Sequence, residues 1–172
     1  MFDWKLSSER LIFMDIYLKK YKVSNSDFAK QLFFEIKSEE LNFTPPFEKS
    51  IINLLNFQFN AYKNNLENYT NLSNYLIYSN NNLVGRLIFV VEQANLHIVE
   101  LSILKKFRRN NIGKKTLQYI QKKYEKVGSF SLYVRKNNPF IEFYKKLEFE
   151  IISEDEINYF MKLKKSSYKK EL

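Results

Sequence analysis

Apolar and polar positions alternate along this chain with two different periods, and the change of period divides it. Phe28, Leu32 and Ile36 recur four residues apart behind Ser24 and Asp27, a pair with the spacing of a capping box, so a first helix is predicted there. Pro45-Pro46 interrupts the chain. Ile51, Leu54, Leu55, Gln58 and Tyr62 then trace one face of a second helix over 47–62. A short strand is expected over 14–23, and residues 1–13, which show no clear period, read as an N-terminal extension.

From Tyr75 the period shortens to two. Segments 75–79, 83–91 and 96–104 are predicted strands, joined by Asn80-Asn81-Asn82 and Gln93-Ala94-Asn95 turns into an antiparallel meander. Gly113, Leu117, Ile120 and Tyr124 return to one helical face, Gly128 ends it, and 130–134 is the next strand. A strand, a crossover helix and a strand make a parallel pair with a right-handed connection. Asn138 can cap a helix with Pro139 at its first turn, along which Phe140, Phe143, Tyr144 and Leu147 share a face. A hairpin of 149–153 and 157–163 completes the sheet, and 164–172 is a charged tail.

With 172 residues, 45% of them hydrophobic, no repeat and no long linker, residues 1–172 read as one domain. The absence of cysteine removes disulfides, thiolate metal sites and a thiol nucleophile, and a single histidine, His97, argues against a histidine metal cluster; no metal is expected. Apolar runs such as 11–14 and 87–91 fall far short of the roughly 20 residues that span a bilayer. No membrane association is expected, and the N-terminus does not read as a signal peptide, so a cytoplasmic protein is expected.

Charge is unevenly placed: residues 1–100 carry a formal −1 and 101–172 a formal +10. Such a basic half fits either a solvated surface or a polyanionic ligand, nucleic acid or a phosphorylated cofactor. Tyr and Phe fall on periodic core faces rather than in an exposed stacking array, which sets a nucleic-acid-binding domain behind the cofactor reading.

The stretch Leu101-Ser102-Ile103-Leu104-Lys105-Lys106-Phe107-Arg108-Arg109-Asn110-Asn111-Ile112-Gly113-Lys114 is an apolar strand, a basic turn and a helix start. The first N–H groups of a helix lack internal partners and lie at the positive end of its dipole, where a pyrophosphate is favoured. Gly113 removes a side chain at that approach, and Arg108, Arg109, Lys114 and Lys115 can add charge-assisted contacts.

Arg108-Arg109-Asn110-Asn111-Ile112-Gly113 resembles the Arg/Gln-x-x-Gly-x-Gly/Ala acetyl-CoA motif of the GCN5-related N-acetyltransferase (GNAT) family. Leu132 to Phe149 is similar to a second element of that family, a strand, an Asn, a helix with a Tyr, and a closing Leu-Gly-Phe. Val84-Gly85-Arg86-Leu87 and Gln58-Phe59 resemble features of one bacterial branch, so the likeness covers about residues 14–163. Asn111 stands where the motif has its first glycine, Glu148 where a glycine ends the last helix, and Phe140 where a smaller residue is usual.

The resemblance implies an α/β (mixed α+β) acyl-CoA N-acyltransferase fold: a central mixed, mostly antiparallel sheet with a splayed parallel strand pair and helices on both faces. It implies acetyl-CoA as co-substrate, held by Ile103, Leu104 and Lys105 at the strand end, by Arg108, Arg109, Asn110, Asn111, Ile112, Gly113 and Lys114 at the pyrophosphate, and by Asn138. Tyr144 is the expected proton donor to the departing thiolate and Glu100 the expected base, while Gln58 and Tyr62 are expected on the acceptor side. The implied activity is acetyl transfer to a primary amine by direct attack in a ternary complex, the acceptor being a small molecule or a peptide or protein amine. The alternative is a catalytically inactive CoA-binding regulatory module. Either a monomer or a homodimer fits.

Overall fold

The computed structural model describes residues 16–164; the expected N-terminal extension and nearly all of the charged tail lie outside them. Seven strands form one sheet in the order β1-β2-β3-β4-β5-β7-β6. They are β1 (Ile16–Lys20), β2 (Ser73–Ser79), β3 (Asn82–Glu92), β4 (Asn95–Ile103), β5 (Ser129–Arg135), β6 (Glu150–Glu154) and β7 (Asn158–Lys164). Every neighbouring pair is antiparallel except β4 and β5. The helices are α1 (Ser26–Glu40), α2 (Lys49–Glu67), α3 (Ile112–Lys123) and α4 (Ile141–Lys145).

Several boundaries differ from the periodic reading. A 3-10 turn, Val23–Asn25, precedes α1, so Asn25 rather than Ser24 opens the helix, and its side-chain oxygen accepts the Lys22 N–H at 3.0 Å. Helix α2 begins two residues later than expected and runs five further, to Glu67, because Leu66 continues the buried stripe of Leu55 and Phe59. Helix α4 is a short piece of the predicted 139–147 segment: the Asn138 side chain accepts the Phe140 N–H at 2.8 Å and delays the helix start. Asn80 and Asn81 both take left-handed φ, 47° and 64°, as a two-residue hairpin turn between β2 and β3 requires.

Strand alternation assigns the two faces. Leu87, Phe89, Leu96, Ile98, Phe130, Leu132 and Met161 share one buried cluster with Ile112, Leu117 and Ile120 of α3 and with Phe149. Leu76, Ile88 and Val90, of opposite phase, are also buried, as are Ala29, Leu32, Leu55 and Phe59 of α1 and α2. Helices α3 and α4 therefore cover one face, and α1 and α2 the other, where they reach β4 through Tyr62 to Glu100 and Glu35 to Lys105. Each fully buried Leu or Phe contributes about 1.5–3 kcal/mol.

One irregularity sets up everything that follows. In the β3–β4 ladder Ile88 pairs with Glu100 but Phe89 with Ile98, leaving Val99 as an extra residue. A bulge of this kind bends its strand and re-aims the side chains beyond it. Beyond Val99, Leu101 and Ile103 turn to the α3 face, while Glu100 and Ser102 turn to the α1–α2 face.

Candidate active site

The bulge falls where β4 and β5 part. The two strands pair only from Asn95 with Ser129 to Ile98 with Leu132, although β4 continues to Ile103 and β5 to Arg135. The gap opens into a cleft of about 1260 Å³ whose lining draws on both faces of the sheet. On the α3 side are Leu101, Ile103, Gly113, Val134, Phe143 and Tyr144; on the other are Glu100, Tyr133, Arg135, Glu39 and the α1–α2 connection. The cleft thus passes through the sheet, with one mouth on each side.

The turn after β4 leaves a run of backbone amides free. Arg109 and Asn111 have φ of 64° and 58°, left-handed values of the kind that turn successive N–H groups to one side. Asn bears this conformation at little cost, which is why it can stand at the first motif glycine. Among the described residues, the N–H groups of residues 109–114 have no hydrogen-bond partner. Arg109 and Lys114 are exposed beside them. Gly113 has ordinary φ; a Cβ there would lie 3.3 Å from the Phe143 Cζ, so the glycine lets α3 sit close to the α4 ring.

Other predicted cofactor contacts are already engaged by protein. The Lys105 N–H donates to Glu35 Oε1 at 2.5 Å, and the Ile103 carbonyl accepts Arg108 Nε at 2.8 Å. Arg108 also donates to Glu39 at 2.7 Å, with Lys105 Nζ 3.2 Å from the same carboxylate, and stacks over Phe140 at 5.5 Å. Burial pushes the Glu39 carboxyl up, but Arg108 and Lys105 outweigh it and hold it below its ordinary range. Leu104 is buried and its N–H turns to Val84 O at 2.9 Å, away from the gap. Ile112 is buried too, leaving its N–H as the part that can meet a ligand. Asn138 lines the cleft with its oxygen spent on Phe140 N–H; Asn110 donates to Phe107 O and does not line the cleft.

Tyr144 lines the cleft and meets Phe143 and Phe149 edge-on, at 5.1 and 6.0 Å between centroids. Burial pushes its phenol up to about 12, so it keeps its proton at neutral pH. Glu100 lies across the gap. It accepts the Tyr62 hydroxyl and is 3.8 Å from Arg86, a buried arginine whose Nε donates to Asn74 at 3.1 Å. Burial, and then the Glu100 charge, push the Tyr62 phenol up. Tyr62 therefore supports Glu100 from behind rather than lining the cleft, and Gln58, one turn earlier on α2, does not line it either. The Gln58 Oε1 is buried with no hydrogen-bond partner. His97 sits at the closed end of the strand pair, its Nδ1 2.9 Å from Ser131 Oγ, with burial lowering its pKa.

The sequence reading assigned no role to five residues now seen around the site. Arg86 was readable as the cross-strand neighbour of the Glu100 region only once the register was known. Glu35 and Glu39, four apart on α1, already fall on one helix face, which is the signal that could have found them. Tyr133 and Arg135 carry none beyond strand alternation.

A sheet with one parted parallel pair, a cleft at the parting and a helix start with unpartnered amides are the features of the acyl-CoA N-acyltransferase fold. The model of the acetyltransferase (GNAT) family matches residues 32–149, well over half of the chain, and the chain belongs to that family. No curated protein matches it in sequence. Among solved structures it is similar to the PaiA N-acetyltransferase from Thermoplasma acidophilum in complex with coenzyme A, at 17% identity over 88% of this chain and 99% of that one, with a TM-score of 0.68. The ribosomal-protein-S18-alanine N-acetyltransferase from Escherichia coli gives 16% identity over 91% and 98%, with a TM-score of 0.63. The Campylobacter jejuni N-acetyltransferase PseH in complex with acetyl coenzyme A gives 20% over 88% and 99%, with a TM-score of 0.57. At these identities the likeness is one of fold. The expected fold class and family are both borne out.

Proposed function

We propose that this chain is an acetyl-CoA-dependent N-acetyltransferase acting on a primary amine by direct attack in a ternary complex. The observation that carries it is the row of unpartnered N–H groups at residues 109–114, set at the end of a strand that has left its neighbour. These amides, with Arg109 and Lys114, would hold the pyrophosphate, and the exposed edges of β4 and β5 would take the pantetheine arm as an added strand. Bound there, acetyl-CoA supplies an activated acyl carbon and a thiolate leaving group.

The residues around the gap then divide the proton work. Glu100 would accept a proton from the incoming ammonium, directly or through water, from the α1–α2 side. Tyr62 and Arg86 would hold that carboxylate in place. Tyr144, on the α3–α4 side, would donate its phenolic proton to the sulfur. No side chain placed for a covalent intermediate lines the cleft among the described residues, which favours one direct transfer. Glu35 would have to release the Lys105 N–H for that amide to meet pantetheine.

The test is thermal. Acetyl-CoA at about a hundred times its Kd adds about 2.7 kcal/mol, or roughly 5–10 °C in a domain of this size. The gain should vanish in Gly113→Glu. An unmoved melting temperature in wild type would refute the cofactor assignment. Release of free CoA thiol with an amine panel separates an enzyme from a binding module: stabilisation without release across the panel favours the module.

A further inference from the structure

Among the described residues no helix lies over the α1–α2 face of β5 and β7 beyond the cleft mouth, and the strand register places an aromatic group there. Tyr133 pairs with Phe160, so both rings stand on that face, with centroids 5.0 Å apart. His97 meets Tyr133 edge-on at 5.5 Å and is itself fixed by Ser131 Oγ at 2.9 Å. Tyr133 is nevertheless 61% exposed. An exposed aromatic side chain held between two others offers contact area with little conformational entropy left to lose. It also lines the cleft, so a group resting on it is continuous with the reacting gap.

Arg135, two residues on, shares this face and the cleft lining and is exposed. The nearby carboxylates already have cations: Glu39 has Arg108 and Lys105, Glu40 has Lys37, and Glu100 has Arg86. Lys162 also lies on this face, opposite Glu150. Arg135 has no carboxylate partner among the described residues. The mouth where the acceptor enters is therefore an aromatic platform beside an uncompensated guanidinium, which suits a flat ring joined to a phosphate and repels a polycation.

We infer that the amine acceptor belongs to the class of nucleotide-linked amines, its ring packed on Tyr133 and Phe160 and its phosphate at Arg135. This rests on the acetyl-transfer reading above. The experiment is calorimetric titration of the full chain, first saturated with coenzyme A, with uridine 5′-diphosphate, uridine, inorganic pyrophosphate and spermidine. A pyrimidine probe avoids confusion with the adenine nucleotide of the cofactor. Uridine diphosphate should bind at least tenfold more tightly than each of the others. Tyr133→Ala and Arg135→Gln should each weaken it at least tenfold and leave the coenzyme A affinity within twofold, while Tyr133→Phe retains it. Coenzyme A binding without uridine diphosphate binding, tighter binding of spermidine, or unchanged affinity in both variants would overturn the inference and leave the acetyl-transfer reading standing. Failure of coenzyme A itself to bind would overturn both.

Discussion

Gly85 offers the sharpest test of how the gap is framed. It pairs with Ile103 at the last rung of β4, and a Cβ there would lie 2.2 Å from the Ser102 carbonyl oxygen and 2.7 Å from Ile103 Cδ1. Ordinary contact begins near about 3.5 Å, so Gly85→Ala forces backbone apart by more than about 1 Å. Overpacking a core side chain costs about 1–3 kcal/mol; here the obstacle is main chain, which cannot change rotamer, and we expect at least about 3 kcal/mol. Melting should fall by roughly 6–12 °C. The internal control is Gly128→Ala, whose Cβ meets Ala94 O at an ordinary 3.5 Å at a residue without left-handed φ. Restricting the unfolded chain there should leave stability level or raise it by about 0.5 kcal/mol. Urea titrations of both proteins measure the difference directly. Equal stabilities would refute the reasoning, because the only distinction invoked is 1.3 Å of room.

Four further outcomes are expected. Tyr144→Phe should lower kcat by about 10²–10⁴ with little change in acetyl-CoA affinity, and since burial holds the wild-type phenol up to about 12, kcat should show no loss assignable to this group between pH 7 and 10. Glu35→Ala frees the Lys105 N–H and should tighten acetyl-CoA binding by roughly three- to tenfold in a calorimetric titration; unchanged affinity would show that the carboxylate does not compete. Arg109→Gly should relieve a left-handed side chain, raising stability by about 1 kcal/mol in urea, while weakening coenzyme A binding through loss of a cation. For His97 the folded pKa lies below the unfolded one, so its contribution is fully present above about pH 6.5 and fades as pH falls toward the lower folded value. A urea series from pH 8 to 5 should show a slope that is reduced in His97→Gln.

The meander and the crossover were legible because Asn-bearing turns separate β2 from β3 and β3 from β4, Gly128 precedes β5, and the longer helices carry their own stripes. Asn80-Asn81 and Asn111 even announced their left-handed backbone by residue type. Helix ends were less so: nothing local stops α2 at Tyr62 when Leu66 can still be buried, and an Asn138 side chain three residues upstream delays α4. Within the site, residues acting through backbone could be placed from their motif, since the N–H groups of a turn follow from the turn itself. Side-chain partners could not. Arg108 is spent on Glu39 rather than turned to the anion, and Tyr62 lies behind Glu100, because both outcomes depend on how α1 and α2 lie on β4, a packing relation with no trace in either segment alone.

The extra residue at Val99 changes which parity of residue number faces which side of the sheet, but not the order of the ladder. Ile98 faces α3 and Glu100 the opposite side, so a chain shortened by residue 99 would run on in regular alternation, with Phe89 still opposite Ile98 and Ile88 still opposite Glu100. Glu100 would keep its side of the sheet and Leu101 its place against α3, and what would go is the kink between them. Residue 99 thus contributes local bend and twist just where β4 and β5 part, and many side chains could stand there.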